Sequence, residues 1–253
     1  MLTDEQKRRY ARHVVLSDIG EAGQEKLLSS SVLVIGAGGL GSACLAYLAA
    51  AGVGRIGIVE YDRVDLSNLQ RQILFEEADI GRLKVEATAD RLSELNPEIE
   101  IEIFPRRIKA DNAHDMIKDF DAVADGSDNF KTRFAVADAC MAERKPLISA
   151  AISGFEAQLS TFTPYLGEAH PCYRCFVPNA PEREVSCEQE GIIGPLAGMM
   201  GSWQALEVIK ELAGVGESLS GRVMVLNALA GEPKMTRLKR DEQCAHCAVK
   251  MAS

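Results

Sequence analysis

Ser31-Val-Leu-Val-Ile-Gly-Ala-Gly-Gly-Leu-Gly41 is the stretch around which the fold is organised. Val32 to Ile35 is a run of β-branched and apolar residues, the composition of a strand buried on both faces of a parallel sheet. Gly36, Gly38 and Gly41 complete G-x-G-x-x-G, with Gly39 inside the pattern, and Ser42 to Ala51 follows as a small-residue helix. In this fingerprint the first glycine makes a tight turn and the second lets the backbone approach a phosphate. The third lets helix and strand pack closely. The helix N-terminus adds free N–H groups that favour an anion. A glycine-rich turn without a ligand is the competing interpretation; the strand before it and the helix after it favour a nucleotide site.

Outward from this turn, Arg55 to Glu60 has the composition of a second strand. Glu60 lies 19 residues past Gly41. A dinucleotide fold places there the acid that binds ribose hydroxyls, and Asp62 and Asp65 are near enough to compete for the role. Asp65 to Leu74 is polar and too irregular for a buried helix. Arg82 to Leu95 reads as a helix carrying Lys84 and ending at Asn96-Pro97. Glu98 to Phe104 alternates isoleucine with glutamate, as a strand with one exposed face does. After a short helix over 111–119, Asp121 to Asp125 is another strand, and Gly126 to Asn129 is the loop at its C-terminal end, where open parallel sheets bind ligands. Phe130 to Arg144 is expected to be helical and Pro146 to Ile152 extended.

Past Ser153 the pattern changes. Phe155 to Pro164, Val223 to Asn227 and Lys234 to Leu238 read as antiparallel strands. Leu196 to Leu212 reads as a helix whose apolar residues Leu196, Met199, Met200, Trp203, Leu206, Ile209 and Leu212 are expected in the core. Upstream, Thr3 and Gln6 fit a capping box, so one helix is expected through Tyr10 and Arg12, with a second near Glu21 to Leu28. The whole predicts an α/β fold: a Rossmann-like, mainly parallel sheet with an antiparallel C-terminal extension.

The chain has 253 residues, 47% of them hydrophobic and 26% charged, as in an ordinary globular protein. A net charge of −9 argues against a general affinity for nucleic acid or anionic lipid. The charged start reads as no signal peptide, and no apolar run reaches bilayer length, so a cytoplasmic location and no membrane partner are expected. Seven cysteines then point to metal or thiol chemistry rather than disulfides.

Four of these cysteines form two knuckles, Cys172-x-x-Cys175 and Cys244-x-x-Cys247, separated by 68 residues. Each can supply two corners of a tetrahedron around zinc, and four thiolates leave no open position, so a structural four-cysteine zinc site is expected. His170 and His246 flank the knuckles as bystanders. Cys44 and Cys140 fall on apolar helix faces and read as buried thiols. Cys187 sits in a glutamate-rich loop; an exposed thiol there can be a nucleophile, although its neighbours disfavour the thiolate. Asn68, Arg71, Lys84 and Asp128 each follow a strand or open a helix. Gathered above one nucleotide, they would suit phosphoryl-group chemistry, the cations on phosphate oxygens and Asp128 on Mg²⁺.

At this point the chain resembles the ThiF/MoeB/HesA adenylyltransferases, relatives of the ubiquitin-activating enzymes. The resemblance covers nearly the whole sequence. It rests on Arg8-Arg9-Tyr10-Ala-Arg12, the glycine turn, Ser67-Asn-Leu-Gln-Arg-Gln72, Lys84, Asp125-Gly-Ser-Asp-Asn129, the paired knuckles and Gly194-Pro195. It implies an ATP-binding homodimer that adenylates the C-terminal glycine carboxylate of a small ubiquitin-like sulfur-carrier protein ending in Gly-Gly, releasing pyrophosphate and activating the carrier for sulfur transfer in thiamin or molybdopterin synthesis. It further implies that Glu60 binds the ribose, that Asn68, Arg71 and Lys84 meet the phosphates, that Asp128 takes Mg²⁺, and that Arg12 reaches the neighbouring subunit's site. In the thiamin branch the residue matching Cys187 links covalently to the carrier. The sequence departs from the family in having Glu60 for aspartate and Gly126-Ser127 for Cys-Thr. With no rhodanese-like domain in it, a separate sulfur donor protein is implied. The regions implied are an N-terminal helical arm (1–30), a nucleotide-binding part (31–152) and a carrier- and zinc-binding part (153–253), all within one globular domain.

Two other readings compete. A nicotinamide-dependent oxidoreductase explains the glycines and Glu60 but has no use for Arg71, Lys84 and Asp128. A non-catalytic adaptor for a ubiquitin-like protein explains the metal lobe but not the cations.

Overall fold

In the first strand, β1 (Ser31–Ile35), Val32 and Val34 enter one hydrophobic cluster while Leu33 and Ile35 enter another on the opposite side of the sheet. Alternating side chains that are all apolar require helices on both faces, and the chain supplies them. The computed structural model describes residues 1–180 and 191–247.

Ahead of β1 lie α1 (Asp4–Arg9), α2 (Ala11–Val14) and α3 (Gly20–Ser29). After it come α4 (Gly39–Ala51), β2 (Arg55–Val59), α5 (Lys84–Leu95), β3 (Glu100–Phe104), α6 (Ala113–Ile117), β4 (Ala122–Asp125), α7 (Phe130–Ala142) and β5 (Leu147–Ser153). The antiparallel part is β6 (Glu156–Phe162), α8 (Tyr173–Phe176), α9 (Gly194–Ala213), β7 (Arg222–Asn227) and β8 (Glu232–Arg237). Among the described residues eight strands form one sheet, ordered β3-β2-β1-β4-β5-β6-β7-β8. Strands β3 to β5 are parallel in that order, and β6 to β8 continue the sheet antiparallel. α3, α4, α5 and α9 cover one face; α6 and α7, with Tyr173 of α8, cover the other.

The strand order reverses between β1 and β4, so the crevice at their C-terminal ends is where such a sheet binds ligands. The glycine turn and the Gly126–Asn129 loop sit at this crevice. Gly36 turns the chain with φ +92°, a left-handed conformation that costs glycine little. A Cβ on Gly41 would lie 2.0 Å from the Gly36 carbonyl oxygen, so helix and strand approach more closely than any side chain allows. Gly41→Ala is therefore expected to lower stability by about 3 kcal/mol or more, read from denaturant unfolding; an unchanged midpoint would contradict this packing.

Three expectations are corrected. The N-terminal helix does not run unbroken to Arg12: it stops at Tyr10 (φ −100°, ψ 20°) and resumes as α2. Tyr10 is buried because its ring fills the space above Gly52 and its hydroxyl accepts from Asn96 Nδ2 at 2.9 Å, a long-range anchor that overrides helix continuity. The apolar stripe of α9 is not all core. Leu196 and Met200 are buried, but Met199 and Leu206 are 46% and 51% exposed. The face turned inward instead uses Ala197, Gly201, Gln204 and Ala205, small or hydrogen-bonded residues that let α9 lie close to α4. The helix over 111–119 contracts to α6, with Asn112 as its N-cap residue.

Candidate functional site

Three segments converge on the crevice. The first is the glycine turn, where Ser42 N–H bonds the Gly38 carbonyl and the amides of α4's first turn have no intrahelical partner. The second follows β2 and runs through the 3₁₀ turn Leu66–Asn68, which Asp65 caps by accepting from Ser67 N and Oγ at 2.9 and 2.6 Å. That short turn explains why the polar stretch looked irregular, and it aims Asn68 and Arg71 back at the glycines. The third is the Gly126–Asn129 loop, which α7 fixes from behind: Asn129 Oδ1 caps α7 through Thr132 N at 2.9 Å.

Together they enclose a cavity of about 690 Å³, within the range of small-molecule sites. Gly36, Gly38, Gly39, Glu60, Asn68, Arg71, Lys84 and Asp128 all line it. Gly41 does not, since its place is the helix–strand contact below. Its charged lining is balanced, with Arg71, Lys84, Arg107 and Arg133 against Glu60, Asp62, Asp128 and Glu156. The cavity continues beyond the nucleotide-sized crevice onto the antiparallel strands at Glu156, Gln158 and Val225.

Glu60 is buried, and its carboxylate accepts from Ala37 N at 3.0 Å, Tyr61 N at 2.7 Å and Asp62 N at 2.9 Å. The extra methylene relative to aspartate lets it reach back to the glycine turn itself. A carboxylate offers about four acceptor sites, so roughly one remains for a ribose hydroxyl. Among the described residues Asp62 carries no such bonds on its oxygens, and it stands 3.8 Å from Lys84 Nζ. Burial, and then Glu60, raise its carboxyl above the usual range, with Lys84 opposing. Lys84 itself is buried at the start of α5. Arg71 donates to the Ser67 carbonyl at 2.9 Å and makes no ion pair among the described residues. Asp128 is exposed to the cavity, with Asn129 Nδ2 at 3.3 Å from Oδ1. A cradle of free amides, two cations without strong partners and an open carboxylate fit a polyphosphate and its divalent cation.

Arg133 is a feature that sequence pattern could not show. It is 7% exposed on α7, where its guanidinium donates to the carbonyls of Ser127 and Ala150 and to Ser149 Oγ. It thereby holds the Ser127-Asp128 loop against β5. Nothing local distinguishes it from a surface arginine, since its partners lie on another strand. Arg107 and Tyr61, with the guanidinium 4.0 Å from the ring centroid, form the cavity's outer wall and were likewise unmarked.

The four knuckle cysteines come together apart from this cavity, on the α7–α8 side. Their sulfurs lie within 4.8 Å of one another, with neighbours at 3.5 to 3.7 Å. These separations far exceed the ~2.05 Å of a disulfide and match the about 3.8 Å between sulfurs set ~2.3 Å from a tetrahedral zinc. The set can hold a metal ion. Arg174 secures the first knuckle by pairing with Asp138 at 2.7 Å and stacking on Phe134 at 3.8 Å. His170 bonds Ser220 Oγ at 2.8 Å and His246 lies 3.8 Å from Asp138; neither joins the cluster. Cys44 and Cys140 are buried, and burial pushes both thiols up, away from reactivity. Cys187 lies outside the described residues. Arg12 is exposed and does not line its own chain's cavity.

Known proteins resemble this chain. The chain is 42% identical over 249 residues to the sulfur carrier protein adenylyltransferase of Thermus thermophilus, covering 97% of this chain and 92% of that protein. It is 45% identical over 249 residues to the adenylyltransferase and sulfurtransferase MOCS3 of Bos taurus, covering 97% of this chain but 54% of that protein. For the MOCS3-1 protein of Zea mays the identity is 43% over 242 residues, covering 94% and 51%. The chain thus spans about half the length of these two MOCS3 relatives. Among solved structures, Escherichia coli MccB with MccA-N7isoASN superposes with a TM-score of 0.83 at 23% identity, covering 96% of this chain and 74% of that one, a likeness of fold. The ThiF family model matches residues 10–247. The chain belongs to the ThiF family.

Proposed function

We propose that this protein adenylates the C-terminal glycine carboxylate of a small ubiquitin-like sulfur-carrier protein, using ATP and releasing pyrophosphate. The observation that carries the reading is the meeting of Asn68, Arg71, Lys84 and Asp128 with the glycine turn in one cavity. Hydride transfer has no use for that cation set. The extension of the same cavity onto β6 and β7 supports entry of a peptide tail from the antiparallel side.

In this reading Glu60 orients the ribose, and the turn and the α4 amides receive the first phosphate. The carrier's carboxylate attacks that phosphorus, an O–P bond forms, and the bond to pyrophosphate breaks. The nucleophile is already ionised at neutral pH, so no general base is needed. The task is alignment and neutralisation of like charges, which Arg71, Lys84 and Asn68 perform along the leaving phosphates. Asp128 would hold Mg²⁺, which supplies further charge neutralisation on the phosphate oxygens. Cys172, Cys175, Cys244 and Cys247 would hold zinc in a structural role. A separate sulfur donor would act on the adenylate, for thiamin or molybdopterin synthesis, in the cytoplasm.

The exposed Met199 and Leu206 on α9 and the outward Arg12 support a homodimer in which Arg12 completes the neighbour's site. Arg12→Ala and Asp128→Ala chains, each inactive alone, are then expected to recover about a quarter of wild-type activity when co-refolded, because half the dimers are mixed and each has one intact site. No recovery would contradict a shared site. The reading as a whole is tested by ATP–pyrophosphate exchange, which is expected only with a carrier ending in Gly-Gly. Exchange absent with every such carrier of the same genome would overturn it.

A further inference from the structure

Gln72 closes the Ser67–Gln72 segment directly over the glycine turn. It is 4% exposed and lines the cavity, yet its side-chain amide makes no hydrogen bond among the described residues. Its carbonyl oxygen is buried without a partner there, and its Nε2 lies 3.8 Å from where a Cβ on Gly38 would stand. A desolvated amide left unpaired works against folding. The backbone around it is nonetheless well anchored, since Gln72 N bonds the Asn68 carbonyl at 3.0 Å and Phe75 N bonds the Gln72 carbonyl at 3.2 Å. The side chain is therefore held over the phosphate cradle by its segment and not by any partner of its own among the described residues.

We propose that the Gln72 amide is a nucleotide-binding group that donates through Nε2 to a non-bridging oxygen of the α-phosphate. The proposal rests on the nucleotide reading of the cavity. The α-phosphate is selected by position. Glu60, the ribose-orienting acid, bonds Ala37 of the turn, so a ribose held there leaves its first phosphate over Gly38. A primary amide can present N–H₂ or carbonyl by rotation about its last torsion, and an anion selects the N–H₂. Arg71 and Lys84 attract charge without fixing where it sits; a neutral donor beside the reacting phosphorus sets orientation while leaving it open to an anionic carboxylate. The contact persists in the adenylate, because the α-phosphate stays with the nucleotide after pyrophosphate leaves.

Gln72→Met keeps the length of the side chain and removes the polar end; Gln72→Glu keeps the shape and places a negative charge against the phosphate. Kd values for ATP and for AMP are measured on the full chain without carrier, beside the unfolding temperature of the nucleotide-free protein. For Gln72→Met the expected result is an unfolding temperature equal to or above wild type, with ATP and AMP binding weakened by the same factor, about tenfold or more. For Gln72→Glu the expected loss is larger for both nucleotides. Wild-type affinity in Gln72→Met overturns the proposal, and so does a loss seen with ATP but not AMP, which would move the contact to the leaving phosphates. Wild-type protein that binds neither nucleotide would overturn the cavity's nucleotide reading as well, a result distinct from unchanged binding in the variant.

Discussion

Arg71→Ala is expected to lower carrier-dependent ATP–pyrophosphate exchange by about 10³-fold or more while shifting the unfolding temperature by no more than about 3 °C. The two halves of this result have separate causes. For the fold, the guanidinium is half-buried, donates once to the Ser67 carbonyl and pairs with no carboxylate among the described residues, so its loss leaves little unsatisfied. For the chemistry, an anionic carboxylate must approach an anionic phosphate and displace pyrophosphate. A cation held in a partly desolvated cavity acts at each of these stages without having to reorganise. Steady-state exchange beside thermal unfolding checks both halves. Activity within about tenfold of wild type would show that Arg71 lies off the path of the leaving phosphates.

The second large effect concerns the cysteines. Removing metal with a chelator, or changing Cys244 to serine, is expected to lower the unfolding temperature by more than about 10 °C. Cys172 caps α8 and Cys175 lies within it, and Tyr173 of that helix packs with Phe134 and Phe162 at ring distances of 5.9 and 5.3 Å, whereas Cys244 and Cys247 lie near the end of the described chain. Among the described residues, the contacts that accompany the cluster include Asp241 N donating to Cys175 Sγ at 3.4 Å, Arg240 donating to the Gly167 and Cys247 carbonyls, and His246 at 3.8 Å from Asp138. Burial pushes the Cys172 thiol up, so a bound cation has to displace its proton, and without one the four sulfurs are joined only by long, weak contacts of 3.5 to 3.7 Å. One equivalent of zinc measured per chain, together with the fall in unfolding temperature on its removal, checks this. A metal-free protein that melts at the same temperature would show that the knuckles contribute nothing to stability.

Much of the nucleotide site was legible because its signals are local. A β-branched run, three glycines and a small-residue helix specify a strand, a tight turn and a close helix contact within Ser31–Gly41, and the geometry at Gly36 and Gly41 follows from that chemistry. Asn68, Arg71, Lys84 and Asp128 could be grouped because each follows a strand or opens a helix, and strands of a parallel sheet end on one side. What was not legible depends on partners far away in sequence. Tyr10 breaks a helix to reach Asn96 and Gly52. Arg133 reads as an ordinary helical arginine until β5 is placed beside it. On α9, apolar residues occur on several sides of the helix, so periodicity alone does not say which stripe meets α4; Met199 and Leu206 proved to be outside. The longer acid at Glu60 marked a departure from aspartate without revealing that its length is used to hold Ala37.

The reaction itself is tested most directly by the intact mass of the carrier. After incubation with the protein, ATP and Mg²⁺ in the absence of a sulfur donor, the carrier is expected to gain the mass of one adenylyl group (AMP less one water), with one pyrophosphate released for each carrier modified. A carrier lacking its terminal glycine is expected to stay unmodified. An unmodified full-length carrier, or ATP converted to ADP and phosphate with no change in carrier mass, would contradict adenylation.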